Sequence, residues 1–142
     1  PYFRIFATCN TIGNGDSSGL YSGTQNLNQG QLDRWNIFAT LNFMKPQIEE
    51  KIIENKLGKI SNKMKKDISN MVKLANLVRD SFMNSDISSI ISPRTSIMWG
   101  QNTEIFEDID TAFRLTFFNK CDENDKKIIS EFYQRCFGRE LV

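Results

Sequence analysis

The sequence contains no histidine. Within this chain that excludes imidazole metal ligands, Ser-His and Cys-His nucleophile pairs and histidine general bases. Cysteine is scarce and odd in number: Cys9, Cys121 and Cys136, with no Cys-x-x-Cys spacing. Such thiols read as reduced, buried packing residues rather than as a disulfide frame or a zinc site, which points to a cytoplasmic protein. The absence of any Asn-x-Ser/Thr sequon agrees with that compartment. No apolar run approaches the ~20 residues of a membrane-spanning helix. Lys and Arg (18) almost cancel Asp and Glu (17), so the net charge is +1 and no bulk field draws the chain to nucleic acid or acidic lipid.

What is present is 142 residues, 39% hydrophobic and 25% charged. That suffices for one ordinary domain with a real core, or for parts of two small ones, and is too apolar for a disordered chain. The first residue is Pro1, and residues 1–8 read as a strand already under way, with no signal-peptide pattern. The chain therefore reads as a piece of a longer protein.

Two regions differ in character. Residues 2–8 (Tyr2-Phe-Arg-Ile-Phe-Ala-Thr8) are aromatic and branched, the pattern of a buried strand. Residues 11–30 turn to Gly, Ser, Thr, Asn and Gln, with glycine at 13, 15, 19, 23 and 30. A loop of that length inside a compact domain is unusual and tends to be functional. A helical turn is expected near 28–34, and a second strand over 35–43. Pro46 then opens a helix to about Asn55, its first turn made acidic by Glu49 and Glu50. After a Lys/Gly/Ser connector, Met64, Ile68, Met71, Val72, Ala75, Val78 and Phe82 step by three or four along a helix over 62–84. Ser92-Pro93 has the form of an N-cap followed by proline at the first helical position, opening a helix to about Phe106. Further helices are expected over 109–119, with Ala112, Phe113, Leu115 and Phe118 apolar, and over 123–137, with Ile128, Ile129, Phe132, Tyr133 and Cys136 buried. The domain reading is thus 1–45, part of an α/β sheet, and 46–142, a helical bundle. Two strands do not make a stable sheet alone, which again argues for missing sequence.

Several motifs fail. Thr11-Ile-Gly-Asn-Gly-Asp-Ser-Ser-Gly19 lacks the Gly-Lys-Ser/Thr of a phosphate loop and is not Gly-x-Gly-x-x-Gly. Asp122-Glu-Asn-Asp125 is not a calcium loop, since Lys126 stands at the third ligand position, and reads as a solvated helix start. The lysines at 51, 56, 59, 63, 65 and 66 lack interleaved aromatics and read as a solvated face.

Three polar residues stand out. Asn10 follows the first strand, where the carboxyl ends of α/β strands face ligand. Arg34, in Gln31-Leu-Asp-Arg-Trp35, is permanently charged and suited to bidentate phosphate or carboxylate contacts. Arg94, in Ser92-Pro-Arg-Thr95, sits in the first turn of a helix, where the dipole already makes the end positive and an anion is wanted. Each has a bland counterpart: an Asn that ends a strand, a local Asp33–Arg34 pair, an Arg reaching a neighbouring carboxylate.

Taken in order, these features resemble the second half of an AAA+ P-loop NTPase module of the MoxR-like and chelatase branch. The long string Phe3-Arg-Ile-Phe-Ala-Thr-Cys-Asn-Thr-Ile-Gly-Asn-Gly-Asp-Ser-Ser-Gly-Leu-Tyr-Ser-Gly-Thr-Gln25, with Gln31-Leu-Asp-Arg-Trp35 and Ile91-Ser-Pro-Arg-Thr95, narrows it further. So do Asp110-Thr-Ala-Phe-Arg-Leu-Thr-Phe-Phe-Asn-Lys-Cys-Asp-Glu123 and Glu131-Phe-Tyr-Gln-Arg-Cys-Phe-Gly138. All of them resemble the ATPase subunits of aerobic cobalt chelatases, nearly end to end and least over residues 51–66.

The resemblance implies a fold and a set of roles. The fold is α/β, the C-terminal part of an AAA+ module carrying sensor 1 and the strands after it, joined to an all-helical lid. Asn10 matches sensor 1, which orients the water attacking ATP. Arg34 matches the arginine finger, which reaches a neighbouring subunit's nucleotide, with Asp33 orienting it. Arg94 matches sensor 2 on the lid, contacting the γ-phosphate. A finger acting in trans implies a homo-oligomeric ring, most simply a hexamer. The implied partners are a large corrin-binding subunit and a subunit with an integrin-like domain, which handle Co²⁺; ATP and Mg²⁺ are the cofactors. Walker A and Walker B motifs are absent from this sequence, so the Mg²⁺ and phosphate ligands are expected upstream and the chain alone is expected not to hydrolyse ATP. Two other readings use the same residues or none of them. One is a MoxR-like ATPase assisting metal loading or assembly of another target. The other is a non-enzymatic helical adaptor built on 46–142.

Overall fold

The structure, a computed structural model, describes residues 2–11, 13 and 25–141. The middle of the Gly-rich loop, residues 14–24, lies outside the described residues. Contacts divide the chain into two compact units, Pro1–Leu41 and Asn42–Val142.

Among the described residues of the first unit the one regular element is a four-residue helix, α1 (Gln29–Leu32). It forms because Asn28 and Gln31 close a capping box: the Gln31 N–H donates to Asn28 Oδ1 at 2.8 Å, and the Asn28 N–H to Gln31 Oε1 at 3.2 Å. The flanks of the Gly-rich loop meet, the Leu27 N–H donating to the Gly13 carbonyl at 2.7 Å. Gly13 has φ +87°, and a Cβ there would stand 3.0 Å from both Leu27 Cδ1 and Leu32 Cδ2, so glycine is needed for the bend and for the closeness.

The two expected strands are not formed. Among the described residues no strand is present, and 2–8 and 35–43 lie outside any regular element, so the α/β expectation does not hold for this structure. The physical reason is pairing: a strand exists only through hydrogen bonds to a neighbour. The aromatic and branched side chains stay exposed, Tyr2 96%, Phe6 89% and Leu41 90%.

The second unit is helical: α2 (Pro46–Leu57), α3 (Asn62–Met83), α4 (Pro93–Phe106), α5 (Ile109–Thr116) and α6 (Glu123–Phe137), with a 3₁₀ turn at Phe118–Lys120. Each helix from α3 on begins at a side-chain cap, Ser61, Ser92, Asp108 or Asp122, an arrangement worth about 1 kcal/mol apiece. Gly58 (φ +81°) and Gly138 (φ +70°) terminate α2 and α6. The apolar stripe of α3 packs on α2 and α6, burying Ile68, Met71, Val72, Ala75 and Val78 completely. α4 and α5 form a hairpin whose centre is aromatic. Trp99 lies 4.5 Å from Phe113, and Phe113 lies 5.2 Å from Tyr133, centroid to centroid. The Trp99 indole N–H donates to the Ile109 carbonyl at 3.0 Å, so the buried ring leaves no polar atom unpaired.

Three expectations need correction here. The helix expected over 109–119 ends at Thr116, because Phe117 and Phe118 both turn toward Phe113, and Leu115 is left half exposed. Cys121 is buried and Cys136 partly so, but Cys9 is exposed. Asp125 is not solvated. Its carboxylate is buried and accepts from the Ser89 N–H (2.8 Å), the Ser88 hydroxyl (3.0 Å) and the Ser88 N–H (3.2 Å), tying the α3–α4 connector to α6.

Burial pushes the Asp125 carboxyl up, but the hydrogen bonds from Ser89 and Ser88 outweigh it and hold the group below its ordinary value. A carboxyl whose pKa falls on folding contributes stability above its unfolded value, near 3.9, and loses it as pH drops through the folded one. Asp125→Asn is therefore expected to lower the thermal midpoint at neutral pH. The gap from the parent should narrow in acid; a gap constant with pH would show that the charge does not matter.

Candidate functional site

Each expected site residue is described within its own unit. Asn10 is exposed at the end of the irregular stretch 2–9. Asp33 is the C-cap of α1, its N–H donating to the Gln29 carbonyl at 2.9 Å, and its side chain is exposed. Arg34 follows, also exposed. No Asp33–Arg34 ion pair occurs among the described residues, so the bland local pairing does not form, and the two side chains remain open to an external partner.

Arg94 belongs to the second unit. It is the second residue of α4, exposed, behind the cap made by Ser92, whose Oγ accepts from the Thr95 N–H at 3.2 Å. Among the described residues no carboxylate pairs with Arg94. An unpaired cation at the positive end of a helix is locally unfavourable and suits an anion such as a phosphate. Asn10 and Arg34 in the first unit and Arg94 in the second are each exposed to solvent. Among the described residues there is no group of three or more acidic or thiol side chains that could hold a metal ion.

A surface groove of about 430 Å³ lies between α3 and α6 and is lined by Asn70, Lys73, Asn76, Leu77, Asp80, Arg135 and Cys136. None of the candidate residues borders it. Burial pushes the Cys136 thiol up, which works against the thiolate form that a nucleophile needs.

The sequence reading missed one constellation. Arg79 is 3% exposed and Glu49 1%, and they form a two-pronged pair between α3 and α2, with Nη1–Oε2 and Nη2–Oε1 both 2.7 Å. The Arg79 Nε–H donates to the Ile91 carbonyl at 2.8 Å, Nη1 to Asn76 Oδ1 at 3.1 Å, and the guanidinium lies 4.3 Å from the centre of the Phe43 ring. By sequence alone Glu49 is only an acid in the first turn of α2. The available signal was Arg79 itself, a charge at the three–four step between Ala75 and Phe82 of an otherwise apolar stripe.

The second unit is thus a small helical bundle whose α4 carries an exposed Arg94 behind the Ser92 cap. Comparison with known proteins sharpens the class. Over 99% of its length the chain is 50% identical to the aerobic cobaltochelatase subunit CobS of Sinorhizobium sp. The likeness to cobalt-chelatase ATPase subunits seen in the motifs therefore holds along the whole chain. The chain spans 43% of the length of that relative. No protein-family model and no solved structure matches the chain.

Proposed function

We propose that the chain forms part of the ATP-hydrolysing motor subunit of an aerobic cobaltochelatase, which drives insertion of Co²⁺ into a corrin ring during cobalamin biosynthesis. The observation that carries this reading is the 50% identity, sustained over 99% of the chain, to a subunit of that name. Co²⁺ is cargo in this scheme, handled by a corrin-binding large subunit and an integrin-like-domain subunit. The lack of histidine and of thiol clusters in this chain suits that division.

Bound ATP with Mg²⁺ supplies the phosphoanhydride whose cleavage drives the cycle. The chain's own residues position and neutralise. Asn10 orients the attacking water through its amide. Arg34 reaches a neighbouring copy's γ-phosphate and offsets charge developing in transfer, with Asp33 holding its direction. Arg94 contacts the γ-phosphate from the lid and couples its loss to lid movement. A finger in trans requires a closed ring of copies in the cytoplasm, most simply a hexamer. In the same reading 2–8 and 35–43, which lie outside any regular element in this structure, take up strand pairing as part of an AAA+ α/β core. Their exposed aromatic and branched side chains support it, because such strands bury both faces only between helices.

The test is reconstitution. The complete protein is expected to hydrolyse ATP and, with both partner subunits, to insert Co²⁺ into a corrin only while ATP is present. The 142-residue chain alone is expected to show no turnover. Steady Mg-ATP hydrolysis by this chain alone, or metal insertion indifferent to ATP, would sink the assignment.

A further inference from the structure

We propose that Arg79 is a positioning residue for Arg94: clamped by Glu49, it holds the backbone at Ile91 and so aims the N-terminal turn of α4 at the phosphate. The proposal rests on the nucleotide reading of Arg94 given above. Ile91 immediately precedes the Ser92 cap, and Arg94 lies three residues further on. The Ile91 side chain is fully buried, and its carbonyl accepts from Arg79 Nε at 2.8 Å. The Asp125 contacts to Ser88 and Ser89 pin the same connector a few residues earlier. The entry to α4 is thus fixed by two buried charged groups, one from α3 and one from α6, while Arg94 itself is exposed and has no ion-pair partner among the described residues.

Stability alone does not explain the Arg79–Glu49 pair. Burying two charges costs desolvation that their attraction offsets only in part, and apolar pairs of similar volume often serve as well or better. What an apolar pair lacks is a directional grip on a backbone carbonyl. A guanidinium supplies that: its fork takes the Glu49 carboxylate with Nη1 and Nη2 while Nε remains for Ile91, all in one plane. The Glu49 carboxylate orients the plane, and Phe43 covers its face. A lysine keeps the charge but has no such fork.

The experiment uses the complete protein. Arg79→Lys is expected to lower the turnover number for ATP by up to roughly a hundredfold, the size of effect a displacement on the order of 1 Å produces. ADP affinity should stay within about twofold, while the preference for a non-hydrolysable ATP analogue over ADP falls in step with turnover, the mark of a lost γ-phosphate contact. In an Arg94→Ala background, Arg79→Lys should add nothing, because both changes remove one contact. Glu49→Met/Arg79→Met, which restores an apolar interior, should keep the parent's thermal midpoint within a few degrees and still show the same loss of ATP preference. Full turnover in Arg79→Lys would overturn the proposal. So would losses that multiply with Arg94→Ala, or unfolding of both variants, which would make the pair part of the core scaffold. If Arg94→Ala itself leaves hydrolysis unchanged, the nucleotide reading fails, and this proposal with it.

Discussion

Arg34→Ala subunits of the complete protein are expected to bind ATP with near-parent affinity and to hydrolyse it about 10³–10⁵-fold more slowly, the range over which an arginine finger acts. Affinity survives because a finger offered in trans touches charge that develops in transfer, not the nucleotide bound by its own subunit. Arg34 is exposed and not paired to Asp33, so its removal leaves no buried group orphaned and should not unfold the chain. The decisive step is mixing. Arg34→Ala subunits combined with subunits unable to bind nucleotide should recover part of the activity, because some interfaces then unite an intact finger with an intact phosphate site. Subunits changed only at Arg94 need not behave so, since Arg94 is read as acting on its own subunit's nucleotide. If Arg34→Ala keeps full turnover, or if mixing restores nothing while both variants still assemble, Arg34 is not a finger acting across an interface.

Much of the helical unit was readable because its boundaries are local chemistry. Ser61, Ser92-Pro93, Asp108 and Asp122 sit where caps must be, and all four helices start beside them. The end of α5 was not readable, since Phe117 and Phe118 leave the helix to meet Phe113, a tertiary choice that no spacing rule contains. The strand segments show the opposite failure. Residues 2–8 and 35–43 carry strand hydropathy, but hydropathy states a demand for burial and not its fulfilment. The candidate residues Asn10, Asp33, Arg34 and Arg94 were legible only through the long strings around them, because an exposed polar residue has no periodicity to betray it. Glu49 and Arg79 lie thirty residues apart in sequence. Either one alone reads as a surface charge, and only their misplacement relative to apolar neighbours hints that they meet.

That pairing carries the largest stability effect expected in the molecule. Glu49→Ala should destabilise the helical unit by about 3–5 kcal/mol, the cost of removing one partner and leaving the other charge buried. Arg79 would retain Ile91, Asn76 and the Phe43 ring, all neutral, so none of them compensates its charge. For a unit near 100 residues such a loss corresponds to a fall in thermal midpoint on the order of 15 °C or more. It is a large part of the roughly 5–15 kcal/mol that hold a domain of this size together. Urea unfolding followed by helix content gives the number. The comparison that interprets it is Glu49→Met/Arg79→Met: removing both charges should cost far less than removing one, because the penalty belongs to the orphaned guanidinium and not to the missing bond. If Glu49→Ala shifts the midpoint by only a degree or two, water reaches Arg79 readily and the pair does not anchor α2 to α3. The entry to α4 would then have to be held by Asp125 and the Ser92 cap alone.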